Sequence, residues 1–165
     1  MRQSLEIVWQ IVFVGAGATL ITDLWMLILK GLGMPAMNFR MLGRWVGHLA
    51  RGRVLHAAIA ASPHIAGETV IGWMAHYAVG IVFAALLLLL VGNDWLSAPR
   101  LVPAMLFGAA TLAAPFLLMQ PAMGAGFASL RTATPVRNII KSSVTHLVFG
   151  VGLFLAASLL ARISA

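Results

Sequence analysis

Three ionisable side chains lie inside long apolar runs of this 165-residue sequence: Asp23, His76 and His146. Such side chains are costly in a membrane and usually face a neighbouring helix, which makes each a candidate functional residue. Each lies six or seven residues from one end of its run, or very roughly 9–10 Å inside the same side of a membrane. We therefore expect the three side chains at one depth.

Two imidazoles and a carboxylate at one depth could do several kinds of chemistry. The histidines could be axial ligands of a b-type haem, or could bind a transition-metal ion with Asp23 as a third ligand or an orienting acceptor. A metal beside an acid could also activate water for hydrolysis. Without a metal, the same groups could pass protons, because imidazole titrates near neutral pH. A purely structural network of interhelical hydrogen bonds is the remaining alternative.

Two further polar residues are expected at the entrance to this cluster. Glu68 precedes the second apolar run and Gln120 ends the third, both on the same side as the cluster. The sequence contains no HExxH, GxSxG, Walker or dinucleotide-binding motif. No catalytic residue is therefore assigned, and the sequence favours a protein that is not an enzyme.

The elements that position these residues must be membrane helices. Hydrophobic residues make up 61% of the chain and charged residues 9%, against about 45–50% and 25% in soluble domains. This composition excludes a soluble domain and, by its hydrophobicity, a disordered chain. About 20 apolar residues cross a bilayer, and open strands cannot. We therefore predict one all-α membrane domain over residues 1–165, with spans at 7–29, 70–91, 101–119 and 139–161.

Basic residues predict the orientation of the spans. The net charge of +7 in so apolar a chain indicates contacts with anionic headgroups, not nucleic acid. Eight of the 11 Lys and Arg residues lie in the first and third connections. These are Lys30, Arg40, Arg44, Arg51, Arg53, Arg131, Arg137 and Lys141. By the positive-inside rule, both connections are cytoplasmic and both termini lie on the opposite side.

The first connection contains a basic amphipathic segment at residues 38–53. A helical wheel separates its apolar side chains (Phe39, Leu42, Val46 and Leu49) from its basic ones. This pattern predicts a short helix in the headgroup plane, with a partly ordered surface segment as the alternative. The residues expected to bind lipid phosphate are Arg40, Arg44, Arg51 and Arg53.

The hairpins formed by successive spans resemble two copies of one unit. The first span is followed by Met34-Pro35-Ala36-Met37, and the third is followed by the similar Gln120-Pro121-Ala122-Met123. In the second and fourth spans, a histidine (His76 or His146) lies four residues before a glycine. On this interpretation, the basic segment at residues 38–53 is an insertion into the first copy. Parallel copies would be related by an axis along the membrane normal, which would set His76 opposite His146.

Small residues at four-residue spacing predict which helix faces point inward. Three such stripes contain the ionisable residues, and small residues let helices approach closely. They are Gly15-Thr19-Asp23, Gly72-His76-Gly80-Ala84 and Ser142-His146-Gly150. Three other histidines in the first connection, His48, His56 and His64, are spaced by eight, which suits no single helical metal site. We expect those three at the surface, and the nine methionines as core packing and not as copper ligands.

Several short motifs together resemble an uncharacterised bacterial family of small inner-membrane proteins, known only as a domain of unknown function. The motifs are Gly17-Ala18-Thr19 with Asp23-Leu24-Trp25, Gly43-Arg44-Trp45 with Gly47-His48, Gly72-Trp73 with His76-Tyr77, Met119-Gln120-Pro121 with Gly124 and Gly126, and Thr145-His146 with Phe149-Gly150. The resemblance runs from about Gly15 to Ala157. It implies a four-helix protein of the bacterial inner membrane, so that the outer termini are periplasmic, and it implies no activity. The partners expected are membrane lipids and a second copy of the chain in a homodimer.

Overall fold

Every regular element in the described part of the chain is helical. The computed structural model describes residues 2–34 and 37–164. Its helices are α1 (Arg2–Gly31), α2 (Phe39–Leu49), α3 (Glu68–Val91), α4 (Leu101–Ala122) and α5 (Pro135–Ile163). Short 3₁₀ turns interrupt the connections at Ile59–Ala61, Asn93–Leu96 and Phe127–Ser129.

Four of these helices, α1, α3, α4 and α5, are long and apolar enough to cross a membrane. The helices expected for the four predicted spans are therefore present, and each observed helix covers its predicted range or extends beyond it. Many large apolar side chains on these helices are exposed, among them Leu89 at 80% and Leu27 at 62%. Exposure on this scale is expected where lipid covers the surface.

Helix α4 changes its winding at Pro115. Proline has no backbone N–H to donate to the carbonyl four residues before it. The Thr111 carbonyl instead accepts the N–H of Ala114, at 3.1 Å. The next residues, Ala114–Met119, form a π-helical segment, in which Gln120 donates to the Pro115 carbonyl. The freed backbone group is thus satisfied inside the helix, as a membrane requires.

The spanning helices pack in the spatial order α3, α1, α5, α4. Helix α1 packs extensively on α3 and α5, α4 packs on α5, and α3 meets α4 only weakly. The main core lies in the half of the bundle that holds the chain termini, around Val14, Ala84, Leu87 and Leu153. Phe83 of α3 reaches across to the rings of Phe107 and Phe149, at centroid distances of 6.3 and 6.0 Å.

Glycines at the helix crossings let the backbones approach one another. A Cβ on Gly15 would meet the backbone of Ile81, and a Cβ on Gly108 would meet the backbone of Gly150. Gly72, Gly80 and Gly150 are all buried. The inward orientation that the small-residue stripes predict is confirmed at these positions.

The first connection packs against the helices at one end of the bundle. Helix α2 crosses α3 so closely that a Cβ on Gly43 would collide with the Glu68 carbonyl oxygen. The chain after α2 reaches the end of α4, where the His56 N–H donates to the Ala122 carbonyl at 2.8 Å. Pro35 and Ala36, on which the predicted repeat partly rests, lie outside the described residues.

Candidate functional site: an intramembrane acid–histidine pair

Asp23 and His76 form a hydrogen-bonded pair between α1 and α3. His76 Nε2 lies 2.9 Å from Asp23 Oδ1, and the Tyr77 hydroxyl donates to Asp23 Oδ2 at 2.8 Å. The side chains of Asp23 and His76 are only 12% and 17% exposed. The carboxylate therefore accepts two bonds on an inward helix face, one to each of its oxygens.

Both partners lie at the same depth. Asp23 is eight residues before Gly31, the last residue of α1, and His76 is eight residues after Glu68, the first residue of α3. At 1.5 Å per residue, each is about 12 Å along its helix from that end. The two residues therefore lie at matching heights along their helices.

Aromatic rings surround the imidazole of His76. The ring of Phe39, at the start of α2, lies 4.9 Å from it between centroids, and Phe39 also stacks on Trp73 at 4.0 Å. The Tyr77 ring meets His76 edge-on at 5.7 Å. The start of α2 thus lies beside the acid–histidine pair, between it and the end of the bundle.

The hydrogen bonds assign the protons of this pair. A carboxylate can only accept, so the proton in the bond to Asp23 is carried by His76 Nε2. Nδ1 is then the ring nitrogen that can take up or release a proton. The arrangement can hold an imidazole in one orientation beside a carboxylate and let it change charge.

His146 belongs to a second pair, between α5 and α4. Its Nδ1 lies 2.7 Å from the Thr111 hydroxyl, which itself donates to the Gly108 carbonyl at 2.6 Å. A hydroxyl has one proton to donate, so His146 Nδ1–H must be the donor to Thr111. Nε2 of His146 is left with a free lone pair.

The structure therefore brings Asp23 and His76 together and directs His146 to a different partner. No group of three or more His, Cys, Asp or Glu side chains suited to a metal ion occurs within residues 2–34 and 37–164. The three residues expected as metal ligands do not fit a shared ion, because each histidine is hydrogen-bonded to a different neighbouring helix. A haem held between His76 and His146 meets the same difficulty. A hydrogen bond from Trp25 Nε1 of α1 to Thr145 Oγ1 of α5, at 3.3 Å, connects a helix of the first pair with a helix of the second.

Glu68 does not lie at an open entrance but in a buried ion pair. Arg44 donates to both of its carboxylate oxygens, each at 2.9 Å, and Arg40 Nε donates to Oε1 at 3.0 Å. The Arg44 side chain is 2% exposed and that of Glu68 is 8% exposed. Hydrogen bonding to Glu68 raises the pKa of Arg44, because a partner carboxylate favours the charged guanidinium.

The structure corrects the expected lipid contact of Arg44. Its Nη1 donates to the carbonyls of Ala60 and Ser62, at 3.0 and 3.2 Å. The guanidinium thus faces the folded connection and not the lipid, because α2 is rotated to bury Leu42, Gly43, Arg44 and His48 together. Arg40, Arg51 and Arg53 are exposed, and for them the lipid contact stays a prediction.

The other predicted entrance residue, Gln120, ends the π-helical segment of α4. Its Oε1 is buried and has no hydrogen-bond partner within the described residues. Two of the three histidines expected at the surface are buried as well, since His48 and His56 are each 5% exposed. Sequence reasoning therefore misplaced them, whereas His64, with a side chain 73% exposed, is at the surface.

Sequence reasoning also missed Tyr77 and Thr111, the additional partners in the two pairs. Tyr77 follows His76 directly and is the single tyrosine of the chain, which is the signal that could have drawn attention to it. Thr111 is a hydroxyl within an otherwise apolar span, but hydroxyls in such spans commonly bond to their own helix. Only the position of α5 beside α4 marks it as the partner of His146.

Comparison with known proteins identifies a family and no activity. Residues 12–160 match the model of a family described as "Protein of unknown function (DUF2938)". No curated protein and no solved structure matches the chain.

Proposed function

Because the chain belongs to this family of unknown function, we propose from the site itself that the protein is a cofactor-free, proton-coupled transport protein. The proton-carrying group is the Asp23–His76 pair. The observation that carries the proposal is a carboxylate about 12 Å along a spanning helix, held by His76 at 2.9 Å and Tyr77 at 2.8 Å. Ionisable groups at such depth usually serve ion or proton pathways.

The chemistry of the pair suits reversible proton transfer. An imidazole can exchange the proton of one ring nitrogen while the other stays hydrogen-bonded, as His76 Nε2 is to Asp23. Taking up a proton at His76 Nδ1 converts a neutral donor into a cation facing Asp23. This local change of charge at the α1–α3 contact is the event that we propose to be coupled to movement of a solute.

The second hairpin is proposed to be a copy of the first. In each, a histidine bonds to the preceding spanning helix, and the glycine four residues later sits at the crossing. A Cβ on Gly80 would meet Thr19, and a Cβ on Gly150 would meet Met105. When Pro121 is aligned with Pro35, Met105 corresponds to Thr19. The two hairpins thus cross at matching positions, which supports the repeat.

Proton movement can be measured in liposomes that contain the purified protein and a pH-sensitive dye. Under an imposed pH gradient, the wild type should acidify the interior faster than protein-free liposomes. Asp23→Asn and His76→Gln should abolish this difference. Asp94→Asn is the matched control, because Asp94 lies outside the spanning helices in the turn after α3, and it should behave as wild type.

Two results would overturn the proposal. One is a wild type no more permeable to protons than empty liposomes. The other is a Soret band in the purified protein that His76→Gln removes, since this would establish a haem ligand instead.

We also propose that the protein lies in a bacterial inner membrane with both termini periplasmic. Lys30, Arg40, Arg51, Arg53 and their counterparts in the third connection would then face the anionic cytoplasmic leaflet. A C-terminal alkaline phosphatase fusion, active only outside the cytoplasm, should be active. An active C-terminal fluorescent reporter that matures only in the cytoplasm would reverse the orientation.

A further inference from the structure

His48 and His56 lie side by side in a buried position where α2, the following loop and the end of α4 meet. Both residues are 5% exposed, and their ring centroids are 5.0 Å apart at an interplanar angle of 57°. The site is separate from the Asp23–His76 pair, since it involves different residues and lies on the first connection.

A reversal of the chain at Gly52 brings the two rings together. Helix α2 ends at Leu49, and Gly52 has a φ of +77°, a left-handed conformation that glycine adopts without strain. The chain then returns along α2, where the Trp45 indole donates to the Val54 carbonyl at 3.0 Å. This return places His56 beside His48, which a spacing of eight on a continuous helix would not do.

His48 is oriented with one ring nitrogen free to bind. Its Nε2 lies 3.0 Å from the Pro63 carbonyl oxygen, and a carbonyl can only accept, so Nε2 carries the proton. Nδ1 then presents its lone pair. Metal-binding histidines are typically held in this way, by a bond from the second ring nitrogen to a carbonyl.

His56 has no partner for either ring nitrogen within the described residues, although both are buried. A neutral imidazole always has one N–H and one lone pair, and buried polar atoms are normally satisfied. Gln120 Oε1 is also buried without a partner, two residues before Ala122, whose carbonyl accepts the His56 N–H at 2.8 Å. Unused lone pairs therefore occur in this small region on His56 and on Gln120.

We propose that His48 and His56 bind a transition-metal ion of the zinc class at this junction. Zinc lies about 2.0–2.1 Å from a histidine nitrogen, so two imidazoles on one tetrahedral ion have ring centroids roughly 5 Å apart. The observed 5.0 Å matches this separation. The amide oxygen of Gln120, buried without a partner within the described residues, is a candidate third ligand, with water as a fourth. The ion would fix the first connection against the end of α4.

The experiment uses the full chain, purified in mild detergent with a tag that contains no histidine, stripped of metal and titrated with Co²⁺. The expected result is one Co²⁺ per chain with the visible absorption of a tetrahedral site, displaced by Zn²⁺. His48→Gln and His56→Gln should each weaken binding by more than roughly tenfold. His64→Gln and His76→Gln are matched controls and should bind as wild type.

X-ray absorption of the wild type with bound Zn²⁺ gives a test that does not depend on folded variants. Two imidazole nitrogens at about 2.0–2.1 Å are expected. The proposal is wrong if Co²⁺ binds His56→Gln as tightly as wild type, if binding is lost in His76→Gln instead, or if no Co²⁺ binds. The last result would leave a buried imidazole pair satisfied by water alone.

Discussion

The bond between Asp23 and His76 should be measurable as a coupling energy in a double-mutant cycle of Asp23→Ala and His76→Ala. Interhelical hydrogen bonds in membrane proteins contribute about 0.6 kcal/mol on average and at most about 1.7. A bond to a charged group is roughly twice as strong as a neutral one. For a 2.9 Å bond between side chains only 12% and 17% exposed, we expect a coupling of about 1.2 kcal/mol when His76 is neutral.

Acidification should strengthen this coupling. A protonated His76 ring would face the Asp23 carboxylate as a cation, which adds charge attraction to the hydrogen bond. The coupling should then rise above about 1.2 kcal/mol, toward the upper value of about 1.7 kcal/mol for such bonds in membrane proteins. The cycle of Asp23→Ala with Tyr77→Phe is the internal comparison, because the tyrosine hydroxyl remains a neutral donor at both pH values. The coupling between Asp23 and Tyr77 should stay at about 1.2 kcal/mol at both pH values.

Reversible unfolding in mixed micelles of a mild detergent and sodium dodecyl sulfate gives the required free energies of unfolding at about pH 5 and pH 8. A coupling of zero at both pH values would refute the contact between the two side chains. A coupling that falls on acidification, or that changes equally in the tyrosine cycle, would refute the assigned protonation chemistry and with it the proposed proton carrier.

Three further perturbations test the packing by the same unfolding assay. Gly72→Ala should lower the free energy of unfolding by about 1–3 kcal/mol, because its Cβ would collide with the Phe39 backbone carbonyl. Gly31→Ala is the control. A Cβ at Gly31 meets nothing within 4 Å, so this substitution should change stability by less than about 0.5 kcal/mol. Arg44→Gln should lower the free energy of unfolding, because it removes a bidentate ion pair with Glu68. Leu153→Ala, at a residue with 0% exposure, should cost roughly 2–5 kcal/mol through the cavity it leaves.

Each of these has an outcome that would contradict it. An unchanged stability for Gly72→Ala would mean that α2 does not cross α3 at this glycine. A free energy of unfolding for Arg44→Gln equal to that of Arg51→Gln, a substitution at an exposed arginine, would mean that Arg44 faces lipid after all. A cost for Leu153→Ala below about 1 kcal/mol would place Leu153 against lipid, whose tails are as apolar as leucine.

Sequence reasoning reached one half of the candidate site. Asp23 and His76 lie on small-residue stripes of neighbouring helices at matching heights, and this pattern predicted a cluster that also included His146. His146 has the same pattern but bonds to Thr111, because α5 turns this face toward α4. The pattern of a single helix says which face is inward, but not which neighbour lies opposite it.

The basic segment shows the same limit. A helix, α2, forms over Phe39–Leu49. Its buried residues combine Leu42 from the predicted apolar side with Arg44 and His48 from the predicted basic side, so the wheel did not predict which side chains are covered. The wheel assigned Arg44 to lipid, whereas α2 buries it against Glu68, and the connection that follows supplies carbonyl acceptors from Ala60 and Ser62. These acceptors are 16 and 18 residues away in sequence, beyond the reach of any helical period.

The sequence by itself determined the solvent of this protein and its four spanning helices. The physical reason is local: in lipid each backbone must satisfy its own hydrogen bonds, so about 20 apolar residues in a row already specify a helix. The partners of the polar side chains were decided only by the tertiary structure. The rotation of each helix and the path of each connection depend on contacts far apart in sequence, and these contacts paired His76 with Asp23, His146 with Thr111 and His48 with His56.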